Sequence, residues 1–365
     1  MLSVLLVVGL VVAVFVGFNI GGSNTGVAFG PAVGSGAVSK VGAGVLMTIF
    51  ALLGGWTVGR RVVTTLGTNL VTGDPFTLPV SIGVLFFIGG ALFVSNVFGV
   101  PASTSMTAVG AIAGLGLARN ALATDIVLEI VSGWLVAPLV ACWASGMVGR
   151  YAYDAIDERL ALGDGDTTVF QVDTNGTLPR PAIHDDATPR EATGVVMVVG
   201  IACFMAFSAG ASNVANAVAP LVGSGQLSMN AGILLASGAI GIGAVTIARR
   251  TLDTMGEGIT QLPLAAALFV AVVSATLVTA LSAIGIPASF VVIATMSTVG
   301  LGWGRATRAE GELIVSADDV VEEMTEPDVS VDDLYRPYAT LRVVVLQNAV
   351  PAVATVGAYL LFSFW

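Results

Sequence analysis

The chain is a succession of long apolar runs separated by a few polar stretches. Crossing the hydrocarbon core of a bilayer takes about 20 apolar residues of helix. Runs of that order lie near 2–18, 43–59, 78–98, 101–118 and 124–149, and again near 193–209, 231–248, 262–285, 287–302 and 339–363. The pattern predicts an all-α polytopic membrane protein of about ten crossings. Two stretches, 19–36 and 208–225, carry no charge yet are crowded with glycine and serine. Glycine costs about 1 kcal/mol per helical position. Uncharged irregular backbone at membrane depth is tolerated only where protein or a water-filled cavity surrounds it, so these stretches are expected to be re-entrant or broken.

The same stretches repeat. Residues 21–36, GGSNTGVAFGPAVGSG, match 210–225, GASNVANAVAPLVGSG, at nine of sixteen positions with a constant offset of 189. That offset also carries Arg60-Arg61 onto Arg249-Arg250 and Thr65-x-Gly67 onto Thr254-x-Gly256. Farther on, Gly99-Val-Pro-Ala-Ser103 matches Gly285-Ile-Pro-Ala-Ser289. Three regions follow: a first transmembrane repeat at 1–149, a polar acidic linker at 150–192, and a second transmembrane repeat at 193–365 with an acidic loop at 305–337. Repeats with Gly/Pro-interrupted segments at matching positions are the mark of secondary transporters, which bind substrate where the repeats meet. Packing of small residues between helices is the plainer account of the glycines. It leaves the recurring Ser-Asn and Pro-Ala-Ser unexplained, and polar groups in the membrane are costly and usually functional.

Composition sharpens the class. Charged residues make up 10% of the 365, against about 25% in soluble chains. Of the 38, 26 fall in 150–191 and 305–336, which leaves 12 for the other 291 positions. Such a surface excludes a soluble enzyme, a nucleic-acid binder and a disordered protein. The lone histidine, His184, sits beside Asp185 and Asp186, and Cys142 and Cys203 lie in separate apolar runs. Neither pattern supports a disulfide, a metal site or any cofactor. Met1 to Phe18 lacks a basic region and a cleavage site, and reads as a retained helix. An inverted repeat needs an odd number of crossings per copy; five each places 150–192 and 305–337 on one face. That face collects 11 of the 14 basic residues, so the positive-inside rule makes it cytoplasmic, with both termini outside.

The candidate site is built from short polar side chains. Ser23-Asn24 and Ser212-Asn213 lie among glycines that let a ligand approach the backbone. Hydroxyls and free N–H groups suit an anion, and carbonyl oxygens suit a small cation. Pro101-Ala-Ser103-Thr104-Ser105 puts proline at the expected first helical position, with three hydroxyls in the first turn, where unpaired N–H groups attract negative charge. Simple N-capping is the alternative for Ser103. In the second copy Ser289 is followed by Phe290, Val291 and Val292, so the halves are chemically unequal.

At these residues the chain resembles the inorganic phosphate transporter (PiT) family of cation-coupled permeases. Gly210-Ala-Ser-Asn-Val-Ala-Asn216-Ala is similar to that family's duplicated Gly-Ala-Asn-Asp-Val-Ala-Asn-Ala signature. Pro101-Ala-Ser103-Thr104-Ser105-Met106-Thr107 is similar to its Pro-Val-Ser-Thr-Thr-His-Thr motif, and Arg60-Arg61 with Thr65-x-Gly67 to its segment after the second helix. The resemblance implies two inverted-topology repeats in the cell (plasma) membrane, carrying inorganic phosphate at the repeat interface. It points to Ser103, Thr104, Ser105, Ser289, Ser23, Asn24, Ser212 and Asn213 for the oxyanion. For a coupling sodium or proton it points to Asn24, Thr25, Asn213 and Asn216. Where the family has Asn-Asp, both copies here have Ser-Asn, and Met106 replaces the motif's histidine.

Other readings stay open beside it. A membrane-embedded enzyme would need a nucleophile with a base, or a metal with its ligands; no such cluster lies in the apolar runs. A passive anion channel fits the missing charged coupling groups. Sulfate is the nearest rival substrate: phosphate can donate a proton and sulfate cannot, so a buried acceptor would discriminate, and both aspartates are absent. Assembly into a homo-oligomer is open to such a chain.

Overall fold

The computed structural model describes residues 3–98, 102–160, 170–173, 180–183, 189–248, 264–316 and 337–365. The first copy comprises α1 (Val4–Gly34), α2 (Lys40–Thr57), the short α3 (Gly59–Thr64) running into a π-helical turn (Thr65–Asn69), α4 (Leu78–Val97), α5 (Thr104–Ala118) and α6 (Thr124–Tyr151). The linker holds α7 (Tyr153–Leu160) and a hairpin of β1 (Phe170–Asp173) and β2 (Arg180–Ile183). The second copy comprises α8 (Pro189–Gly223), α9 (Met229–Thr246), α10 (Leu264–Ala283), α11 (Phe290–Ser316) and α12 (Pro337–Ser363). Among the described residues, seven helices are long and apolar enough to cross a membrane, and α5 is a shorter apolar helix. Exposed Phe86, Leu128, Leu135 and Trp143 give the outer surface an apolar character.

The copies interlock. α1 packs along α9 and α2 along α8; likewise α5 packs along α12 and α6 along α11. Since α8 repeats α1, α9 repeats α2, and α11 and α12 repeat α5 and α6, each pairing is the mirror of another. This is the reciprocity expected of two repeats related by a two-fold axis. A short bond between Ser145 Oγ and Ser297 Oγ (2.6 Å) ties α6 to α11.

The expectation of re-entrant or broken backbone at 19–36 and 208–225 is corrected. α1 continues to Gly34 through Pro31, and α8 to Gly223 through Pro220. Small-residue packing accounts for the glycines: a Cβ at Gly17 would stand 2.7 Å from the Ala239 Cβ, and one at Gly21 would strike the Ile240 backbone. In the reciprocal pair, Gly54 lies against Phe207 and Ala211, and Gly210 against Ala51. At these positions the helical cost of glycine is offset by the close approach of a neighbouring helix. The breaks fall elsewhere, between α4 and α5 and between α10 and α11.

Other differences are local. α5 begins at Thr104 with Ser103 as its cap, so Pro101, which lies outside the described residues, is not its first helical position. The linker contains an antiparallel hairpin pairing Phe170 with Ile183 and Val172 with Pro181. Alternation in Phe170-Gln-Val172-Asp173 and the following Asn175-Gly176 were the available signal. Arg308 pairs with Asp154 at 2.6 Å, and the Arg305 guanidinium lies 4.3 Å from the centre of the Tyr153 ring. These contacts bring the start of the linker against the second half of α11. His184, Arg249-Arg250, Thr254, Gly256 and most of the acidic loop lie outside the described residues.

Candidate functional site

The break before α5 delivers hydroxyls into the middle of the fold. Ser103 Oγ accepts the Met106 N–H at 3.2 Å, and its carbonyl accepts the Thr107 hydroxyl at 2.8 Å. Ser103 is thus occupied with capping. Thr104 and Ser105, in the first turn, are buried and face α8. Thr104 Oγ1 donates to Asn213 Oδ1 at 2.6 Å, and Ser105 Oγ lies 3.1 Å from both Asn213 Oδ1 and Ser212 Oγ. Asn216 Nδ2 donates to Asn213 Oδ1 at 3.0 Å.

The second break closes the cluster from the other side. Ser105 Oγ and Ser212 Oγ each lie within donating distance of the Ala288 carbonyl, at 2.9 and 3.0 Å, and the Ala288 N–H donates to Ser212 Oγ at 2.9 Å. Ser289 caps α11, accepting the Val292 N–H at 3.4 Å. Thr104, Ser105, Ser212, Asn213 and Asn216 therefore meet across the repeat boundary. Ser23, Asn24 and Thr25 do not join them by any hydrogen bond: Ser23 Oγ reaches Asn24 Oδ1 at 3.5 Å, and Thr25 Oγ1 donates to the Gly21 carbonyl at 2.7 Å.

The duplication explains this inequality. The residues equivalent to Thr104 and Ser105 are Phe290 and Val291, and the residue equivalent to Asn216 is Val27. Asn24 has thus lost the partners that Asn213 keeps. Its Nδ2 is buried without a partner, which ordinarily costs about 1–3 kcal/mol. In the matching stretch of α8 the buried atom without a partner is an acceptor, Asn216 Oδ1. Thr104 Oγ1 and Asn216 Nδ2 fill the two lone pairs of Asn213 Oδ1, so it has no capacity left for a cation. Of the four expected coupling-ion residues, Asn216 offers the buried oxygen without a partner.

Sequence reasoning missed several contributors. The backbone of Ala288 has no side-chain signal. Asn19 and Asn96, which join α1 to α4 by bonds of 2.9 and 3.0 Å, stand out as amides within apolar runs. Trp134 Nε1 donates to the Pro287 carbonyl at 2.6 Å and, with Met106, Pro138, Leu281 and Ser289, lines a recess beside the cluster. Arg61, marked in the sequence by the repeat but without a role, donates to the Ala283 carbonyl at the end of α10. Among the described residues, no group of three or more His, Cys, Asp or Glu is placed to hold a metal ion.

Comparison with known proteins identifies the family. Residues 20–350 match the model of the phosphate transporter family. The chain is 30% identical to the sulfate permease CysP of Bacillus subtilis, over 80% of this chain and 76% of that protein. It is 31% identical to the sodium-dependent phosphate transporter 1-B of Danio rerio over 40% of this chain and 25% of that one. The fold is similar to a solved sodium-dependent phosphate transporter, with a TM-score of 0.71, 17% identity and coverage of 99% and 98% of the two chains.

Proposed function

Because the chain belongs to the phosphate transporter family, we propose that it is a multi-pass permease of the plasma membrane whose polar cluster binds inorganic phosphate at the repeat interface. The observation that carries the site is the convergence of Thr104, Ser105 and Ser212 hydroxyls, from both copies, at two helix breaks. Hydroxyl donors and the first turn of α5 favour an anion without any covalent chemistry. With no carboxylate in the cluster, nothing there repels a second negative charge. Movement of one repeat against the other would then expose the site alternately to the two sides.

Coupling to sodium or protons is the finer part of the reading. Asn216 Oδ1 is the natural oxygen for it, with Asn24 and Thr25 in the altered first copy. The same orphan acceptor also suits a substrate that carries a proton, which favours phosphate. A second reading, sulfate, is supported by the absence of aspartate in both copies and by the resemblance to CysP. Uptake of labelled phosphate and sulfate into proteoliposomes, with sodium and proton gradients imposed separately, tests both. Saturable, concentrative phosphate uptake is expected. Saturable uptake of sulfate alone would replace the substrate, gradient-indifferent flux would indicate a channel, and no uptake of either would sink the proposal.

A further inference from the structure

The connection between α10 and α11 is gripped by the opposite copy. Arg61 holds the Ala283 carbonyl, Trp134 the Pro287 carbonyl, and Ser105 the Ala288 carbonyl. Gly285, at φ +90°, passes so close to Thr65 that a Cβ there would stand 2.8 Å from Thr65 Oγ1. Arg61, Thr65, Ser105 and Trp134 all belong to the first copy; Ser212 supplies the grip from the second.

This grip commits the site's donors. A serine hydroxyl has one proton, and those of Ser105 and Ser212 are both within reach of the Ala288 carbonyl. An oxyanion that recruits both hydroxyls competes with that carbonyl, and at Ser105 with Asn213 Oδ1 and Ser212 Oγ as well. We propose that Arg61 and Trp134 are positioning residues of transport: they hold the 284–289 connection with the Ala288 carbonyl on the Ser105 and Ser212 hydroxyls, and substrate binds by displacing it. The proposal rests on the oxyanion reading of the cluster. It makes binding a competition, in which apparent affinity is lowered by the fraction of molecules whose connection is in place.

The sign of the effect distinguishes this role from a merely structural one. Trp134→Phe keeps the ring and removes the N–H; Arg61→Gln removes the guanidinium. Each should tighten binding of labelled inorganic phosphate to the purified full-length protein, by about fivefold for one net hydrogen bond, without raising kcat. Phosphate should also shift the tryptophan emission of the native protein, and that shift should vanish in Trp134→Phe. Ser105→Ala serves as the control for the site itself and should weaken binding. Wild-type binding by Ser105→Ala would overturn the oxyanion reading. Weakened binding by Ser105→Ala, with unchanged or weaker binding by both Trp134→Phe and Arg61→Gln, would overturn the displacement proposal alone. Should Trp134→Phe fail to fold, the affinity of Arg61→Gln decides by itself.

Discussion

Replacing Asn213 by aspartate probes the charge logic of the site most directly. Asn213 is 2% exposed, and its Oδ1 already accepts Thr104 Oγ1 and Asn216 Nδ2 at 2.6 and 3.0 Å, with Ser105 Oγ 3.1 Å away. The shape of the site would survive the change, while a full negative charge would replace an amide dipole. An oxyanion seated on Ser105 would bring its nearest oxygen to about 5 Å from that charge, two bent hydrogen bonds away. At an effective dielectric of about 20, two unit charges at that separation repel by about 3 kcal/mol. That is about a hundredfold in affinity, and more for a divalent anion. A sodium ion beside the carboxylate would cancel most of the penalty. Labelled phosphate binding to Asn213→Asp should therefore be about a hundredfold weaker than native in choline salts, and largely restored in sodium salts of equal ionic strength. The native protein should show little sodium dependence. Native-like binding of Asn213→Asp without sodium would refute the reasoning, because the charge would then not sit beside the substrate.

Three further outcomes are expected. Ser103→Ala should lower thermal stability by about 1 kcal/mol through the lost N-cap and leave affinity near native, whereas Thr104→Ala should weaken phosphate binding about tenfold; equal affinity losses would return Ser103 to the site. Gly21→Leu should abolish accumulation of folded protein, because its side chain meets the Ile240 backbone, while Gly90→Ala, which meets nothing within 4 Å, should stabilise by up to about 1 kcal/mol; melting in detergent reads both. A cysteine at 170 should react with an impermeant maleimide from one side of the membrane and a cysteine at 230 from the other; labelling of both from the same side would break the parity argument.

Much of this was legible from polar residues in apolar context. Asn213, Ser212 and Asn216 stood out because an amide or hydroxyl in such a run needs a reason, and the offset of 189 identified their faded counterparts at 23–27. The glycines misled. Their density suggested interrupted backbone, but a glycine that relaxes a helix and one that admits a neighbouring helix look alike in one dimension. Only the reciprocal approach of Gly54 to Phe207 and Gly210 to Ala51 separates the two. Ala288 was invisible because it acts through its backbone. Arg61 was marked by the repeat but its role was not, and Trp134 was not marked at all: their partners lie 222 and 153 positions away and are carbonyls, which no side-chain pattern shows.

The mirrored pairing of helices bears on how such a protein is made. α1 and α2 adjoin in sequence, yet each packs far more on its counterpart's neighbour, α9 or α8, than on the other. The first copy therefore leaves the ribosome with its glycine notches open, at Gly17, Gly21 and Gly54, and nothing of its own to fill them. Until α8 and α9 are inserted, α1 can pack on α4, tied to it by the Asn19–Asn96 bonds, but the notches that receive α8 and α9 stay unfilled. The packing at those notches can therefore form only once both copies are present.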